Sequence, residues 1–213
     1  MSNRYARIPA AGGAAVLAAT LAAAPALAAG TWTIRPGGAI TATSGKVVFT
    51  DIKDGRLFST FACASATASG TLKHGSGLPG SRAGSLSAAG FSTCSAPDGP
   101  RFAPQPADLP WHVNLSSYDA ATGMVTGTVT HIQIPVSGNG CTFVIAGTSG
   151  TASDGRVRFT YADSTGQLTV LAHGGNLHFW NVSAGCLGGF DAGDRARLSL
   201  TFTVSPKQAI TSP

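Results

Sequence analysis

The sequence predicts an all-β fold, an antiparallel sandwich or barrel of about 10–12 short strands, and three observations carry that prediction. Apolar residues recur with period two: Trp111, Val113 and Leu115 alternate with His112, Asn114 and Ser116, and Leu198, Leu200, Phe202 and Val204 alternate with Ser199, Thr201 and Thr203. Such alternation puts one face of an extended chain in a core and the other in water. Residues that tolerate positive φ separate the runs, at Asp54-Gly55, Gly138-Asn139-Gly140, Asp154-Gly155, Ser164-Thr165-Gly166 and Gly174-Gly175. The third observation is the cysteine pattern, two in each half of the chain.

In chain order, Trp32 to Arg35 reads as an opening strand. Lys46–Ile52, Leu57–Cys63, Cys141–Gly147, Gln167–Ala172 and Asn176–Ser183 are apolar on both faces and fit central strands. Arg156 to Tyr161 alternates Arg156, Arg158 and Thr160 with Val157, Phe159 and Tyr161. Near Thr130 the parity slips, from Val125 and Val129 to Ile132, Ile134 and Val136, as a β-bulge would produce. Five prolines between Pro97 and Pro110 mark an irregular crossing between halves 40–118 and 123–204. The glycine cluster at 75–80 lacks the Gly-Lys-Ser/Thr ending of a phosphate loop and reads as a flexible hairpin.

Cys63 and Cys94 bracket one stretch, Cys141 and Cys186 a second, and both stretches share surroundings. Thr50-Asp51-Ile52 and Thr130-His131-Ile132 precede the first cysteine of each. Ser69-Gly70-Thr71 and Ser149-Gly150-Thr151 follow it. Gly84-Ser85-Leu86 and Gly175-Asn176-Leu177 open the run to the second. This predicts a duplicated β unit, and of three possible pairings the repeat favours Cys63–Cys94 and Cys141–Cys186. No C-x-x-C occurs and no histidine stands at ligand spacing from two cysteines, so no metal site and no cofactor are expected.

Residues 1–28 have the build of a secretory signal peptide: Arg4 and Arg7, an apolar run from about Ala10 to Ala24, and Ala26-x-Ala28 before a mature start at Ala29. Residues 29–213 then form a single all-β secreted domain, where cysteines pair. Charged residues are 11% of the chain and glutamate is absent. Without Arg4 and Arg7, 12 basic residues face 9 aspartates, net +3 and scattered. Phosphate binding needs clustered Lys and Arg, so nucleic acid is excluded as a partner. The aromatics do not gather at strand ends as in a membrane barrel.

Candidate chemistry is sparse. No serine is flanked as Gly-x-Ser-x-Gly. A glycosidase needs two carboxylates, for which Asp51, Asp191 and Asp194 are the candidates. Asp54, Asp98, Asp119, Asp154 and Asp163 sit beside turn residues and read as turn formers. Asp191-x-x-Asp194 offers calcium too few oxygens. His178 and Trp180 share one strand face and are the candidate binding face, with Thr169 and Leu171 opposite if the sheet pairs them. At least two of Trp32, Trp111 and Trp180 fit the core.

Ala66-x-Ala68-Ser69-Gly70-Thr71-Leu72-Lys73, Leu109-Pro110-Trp111-His112-x-Asn114, Gly174-Gly175-Asn176-Leu177-His178 and the tail from Val204 to Pro213 resemble a group of uncharacterised small secreted β-rich proteins of high-GC Gram-positive bacteria. The resemblance spans nearly the whole mature chain. It implies secretion and a β fold and transfers no site residues. The expected function is a non-catalytic binding or surface-associated module with an extracellular or cell-surface ligand. An extracellular hydrolase of polysaccharide or ester substrates is the alternative.

Overall fold

The computed structural model describes residues 31–97 and 99–212; the leader expected at 1–28, the mature start at Ala29, and Asp98 lie outside them. The described chain is all-β, in 16 strands, more than the sequence pattern suggested because several are only three to five residues long. It opens with β1 (Trp32–Arg35), β2 (Gly38–Ser44), β3 (Val47–Lys53), β4 (Arg56–Leu72), β5 (Gly75–Leu78) and β6 (Gly84–Ser95). The middle holds β7 (Arg101–Pro104), β8 (Trp111–Asp119), β9 (Met124–Thr130), β10 (Ile134–Gly138) and β11 (Cys141–Ala146). It closes with β12 (Arg156–Ala162), β13 (Gln167–Leu171), β14 (His178–Trp180), a 3-10 turn at Ala184–Cys186, β15 (Arg195–Ser205) and β16 (Ala209–Thr211).

Pairing closes two rings. The first runs β15-β2-β4-β6-β8-β9-β12-β13 and returns to β15; the second runs β15-β3-β4-β6-β7-β10-β11-β14 and returns to β15. Each ring therefore has eight strands, the size at which side chains just fill a barrel. The long strands β4, β6 and β15 belong to both. On β4, residues 66–72 pair with β2 and residues 56–63 with β3. On β15, residues 202–205 pair with β2 and residues 195–199 with β3. Two barrels are thus stacked end to end on three continuous strands. The separate three-stranded sheet β16-β1-β5 lies beside the first barrel, with Ile34 and Ile210 lining the interior.

Local chemistry explains the tight connections. Asp54 and Gly55 (φ 49° and 79°) link β3 to β4, and Asn139 and Gly140 (55° and 79°) link β10 to β11; two successive positive φ values match the strand twist of a two-residue hairpin. The parity slip after Thr130 has a different cause from a bulge. β9 ends there, His131 takes φ 68°, and the chain crosses to begin β10 in the second barrel. The proline-rich crossing is only partly irregular, since Arg101–Pro104 forms β7 and pairs with β6 and β10. The glycine cluster contains β5, paired with β1.

Both disulfides are formed, Cys63–Cys94 and Cys141–Cys186. The first joins register partners on the shared strands β4 and β6; the second joins β11 to the 3-10 turn. Both halves of the chain contribute strands to both barrels, so the two disulfide-closed stretches interleave instead of forming separate lobes.

The barrels are filled differently. The second holds Phe49, Phe61, Phe102, Phe143, Phe179 and Phe190, with Phe49 and Phe61 stacked at 4.4 Å and the rings of Phe143 and Phe190 tilted by 39° at 4.7 Å. The first is lined by Ala42, Ala66 and Ala68 facing larger residues such as Phe159 and Val170. Outward positions carry Arg156, Arg158, Thr160, Thr169, Thr201 and Thr203, where a lipid-facing barrel would present an apolar band. No helix among the described residues is long and apolar enough to cross a membrane.

Candidate functional site

The first barrel encloses a cavity of about 100 Å³. Its origin is compositional. The alanines of β2 and β4 supply little volume where a ring of this size needs bulk. The lining surface is apolar, so a water inside would find no hydrogen-bond partner, and such space favours an apolar guest. Gln208 and Tyr161 border the cavity but spend their polar atoms on each other and on the chain. The Tyr161 hydroxyl donates to the Gln208 carbonyl at 2.9 Å and accepts from the Gln208 N–H at 2.8 Å. The Gln208 Oε1 accepts from Gly37 N–H at 2.9 Å, and its Nε2 donates to Pro206 O at 2.7 Å. Asp163 Oδ2 accepts from Ile210 N–H at 2.9 Å. These contacts hold the segment 206–211 against the barrel. The tail strand was not expected from the sequence, because three residues show no period.

The second barrel ends in an acidic cluster. Asp51, on β3 opposite Ser59 of β4 and Ala196 of β15, is fully buried. Neither of its carboxyl oxygens has a partner in hydrogen-bond geometry. Its pKa is pushed up to about 7, first by burial and then by the charge of Asp194; the Asp191 backbone N–H and Lys53 pull the other way. Burial also raises Asp194, against the pull of Lys53. Lys53 pairs with Asp191 and sits over the Phe58 ring at 4.9 Å. The three aspartates named as candidate carboxylates therefore do come together. A hydrolase, however, needs its acid within reach of substrate, and Asp51 exposes no surface.

His178 and Trp180 stand on β14, their ring centroids 6.5 Å apart. Both are half-buried, and one ring nitrogen of each meets a backbone carbonyl. His178 Nδ1 lies 3.0 Å from Asn176 O, and the Trp180 Nε1–H donates to Gly147 O at 2.9 Å. Thr169 and Leu171 are not beside them, since β13 pairs with β12 and β15 in the first barrel. A hollow of about 260 Å³ between Gln105, Pro135, Ser137, Thr142, Val144 and Asn181 lies nearby, lined by neither residue. Trp32 and Trp111 are core residues.

Asp119, Asp154 and Asp163 make structural hydrogen bonds. Asp154 accepts from the hydroxyls of Thr148 and Ser149 at 2.6 Å each, and those bonds hold its pKa down. Asp119 accepts from Ala121 N–H at 3.0 Å and the Thr122 hydroxyl at 2.8 Å. Both fasten turns, as read from sequence, whereas Asp163 reaches beyond its turn to the tail. Among the described residues no three His, Cys, Asp or Glu side chains converge to hold a metal ion. No family model, no curated protein and no solved structure matches the chain.

Proposed function

We propose that this chain is a secreted, non-catalytic binding protein that holds a small apolar ligand, or the apolar end of a larger one, inside its first barrel. The observation that carries this reading is the apolar cavity of about 100 Å³ in a ring lined by alanines, beside a twin filled by six phenylalanines in ring contact. Closing a void of this kind costs a protein little in residues, since one Ala→Leu change would do it, and leaving it empty forfeits dispersion contacts. The two disulfides and the leader-like residues 1–28 support an oxidising, extracellular setting, and the resemblance to secreted proteins of high-GC Gram-positive bacteria points the same way. The burial of Asp51 is the reason binding is favoured over hydrolysis.

The test uses the purified mature protein with toluene and xenon as probes, read by methyl NMR and thermal unfolding. Saturable shifts at the methyls of Ala42, Ala66 and Ala68 with a rise in Tm support the reading. No shift at millimolar toluene or under xenon pressure refutes it. Ala66→Leu is the control, and it should abolish the effect while the fold persists.

A further inference from the structure

The end of the second barrel is closed by the segment between the 3-10 turn and β15. Phe190 reaches from it into the aromatic core, with ring centroids 4.7 Å from Phe143, 5.2 Å from Phe179 and 5.9 Å from Phe102. The segment is glycine-rich (Gly188, Gly189, Gly193) and anchored at both ends, by the Cys141–Cys186 disulfide and by the β15 ladder. Between those anchors it is tied to the rest of the barrel by the Ser59 hydroxyl donating to Gly189 O, by Phe179, whose N–H donates to Asp194 O at 2.9 Å and whose O accepts from Gly193 N–H at 2.8 Å, and by the Lys53–Asp191 pair. Gly189 N–H to Cys186 O at 2.8 Å and Asp194 N–H to Asp191 O at 3.3 Å are bonds within the turn. Asp191 and Asp194 project from the same segment toward the buried, unpartnered Asp51.

We propose that residues 187–194 form a pH-responsive latch, closed on the second barrel while Asp51 is protonated and released when Asp51 ionises. The charges around Asp51 make the direction unambiguous. From the segment come Asp191 and Asp194, with Asp54 acting on Asp194 from the hairpin turn. From β3 comes Lys53, already committed to Asp191. β4 presents neutral Ser59 and β15 presents Ala196, while Arg195 and Arg197 alternate onto the other face of β15. An ionised Asp51 would be a third negative charge with one shared cation and only the Asp191 backbone N–H to offset it, a state that burial penalises strongly. Lifting Phe190 and its neighbours admits water and relieves it.

Opening restores an ordinary carboxylate, so it gains from rising pH only between that ordinary value, near 4, and the closed-state value of about 7. The experiment is amide hydrogen exchange of residues 187–194 from pH 5 to 9, expressed as protection factors, on the full mature protein and on Asp51→Asn. Expected is a loss of protection of up to about tenfold per pH unit to pH 7, level above it, and in Asp51→Asn only the weaker pH dependence that Asp194 leaves. A flat wild-type profile, or the same loss in Asp51→Asn, overturns the proposal. A carbon-13 titration of the Asp51 carboxyl in the wild type decides the matter should the variant not fold. A midpoint near 7 supports the latch, and one near 4 ends it.

Discussion

Tyr161 and Gln208 clasp each other across the edge of the first barrel, the tyrosine hydroxyl both donating to the Gln208 carbonyl and accepting from its backbone N–H at 2.9 and 2.8 Å. One oxygen thereby satisfies two buried backbone groups 47 residues away. Burial raises the Tyr161 pKa, which keeps the hydroxyl protonated as donor throughout the physiological range.

Tyr161→Phe keeps the ring and removes both bonds, leaving a buried N–H and C=O unpaired. We expect a loss of roughly 2–4 kcal/mol by denaturant unfolding, since each orphaned buried group costs about 1–3 kcal/mol. Hydrogen exchange at Ala209–Thr211 should rise more than elsewhere. Unchanged exchange there would show that Asp163 and the Gln208 side chain suffice to hold the tail.

Gly127 on β9 gives a second prediction. A Cβ at this position would lie 2.3 Å from Asn114 O and 2.4 Å from the Phe159 ring. Gly127→Ala should therefore destabilise by about 1–3 kcal/mol through overpacking. If unfolding is unaltered, the β8–β9–β12 register is not as described.

Overall stability should depend on pH through Asp51. Its folded pKa lies above the ordinary value, so the folded state holds its proton longer than the unfolded chain does. The Asp51 contribution is full below about pH 4, falls by up to about 1.4 kcal/mol per unit as pH rises toward 7, and is level above that. Asp51→Asn should reduce this slope to the smaller part left by Asp163 and Asp194 and be more stable than wild type at pH 8. Urea midpoints measured at pH 5, 6, 7 and 8 for both proteins check the sign.

Removing each disulfide separately tests how the barrels are held. The closed loops span 31 and 45 residues, and the chain-entropy model assigns each about 3–4 kcal/mol. Cys63→Ser/Cys94→Ser should leave β4 and β6 paired by their long ladder and lower the unfolding midpoint as one transition. Cys141→Ser/Cys186→Ser should in addition free residues 187–194 to exchange, because that bridge anchors one end of the segment.

Much of the fold was legible because strands, hairpins and bridges are local or pairwise facts. Alternation at Trp111–Ser116 and Leu198–Val204 put the buried side chains on the correct face, and Asp54-Gly55 and Asn139-Gly140 marked real hairpins. Cysteine surroundings gave the correct pairing. The short strands β5, β7 and β16 were hidden because three or four residues carry no measurable period, and proline and glycine masked two of them. The parity slip at Thr130 was a visible signal with an ambiguous cause, since a bulge and a change of barrel shift side-chain parity alike.

The candidate site divides in the same way. Asp51, Asp191 and Asp194 were singled out by residue type, but 140 residues of intervening chain concealed that β3 and the start of β15 are neighbours. The alanines of β2 and β4 carry no signal of a site in the sequence, and only the closed ring turns their missing volume into a cavity. His178 and Trp180 lie two residues apart on β14, while the carbonyls beside His178 Nδ1 and Trp180 Nε1 come from Asn176 and Gly147, loop backbone that no periodicity locates.

The amino-acid order alone determined a β chain, its turns, its covalent bridges and its scarcity of charge, because each follows from a residue's own conformational preference or from compartment chemistry. Tertiary structure alone decided that β4, β6 and β15 run through two barrels, that one barrel is filled with aromatic rings and the other holds a cavity, and that a carboxyl is sealed beside two others. Those outcomes depend on which strands become neighbours, and neighbourhood is set by closure of the whole sheet, where every pairing constrains the rest.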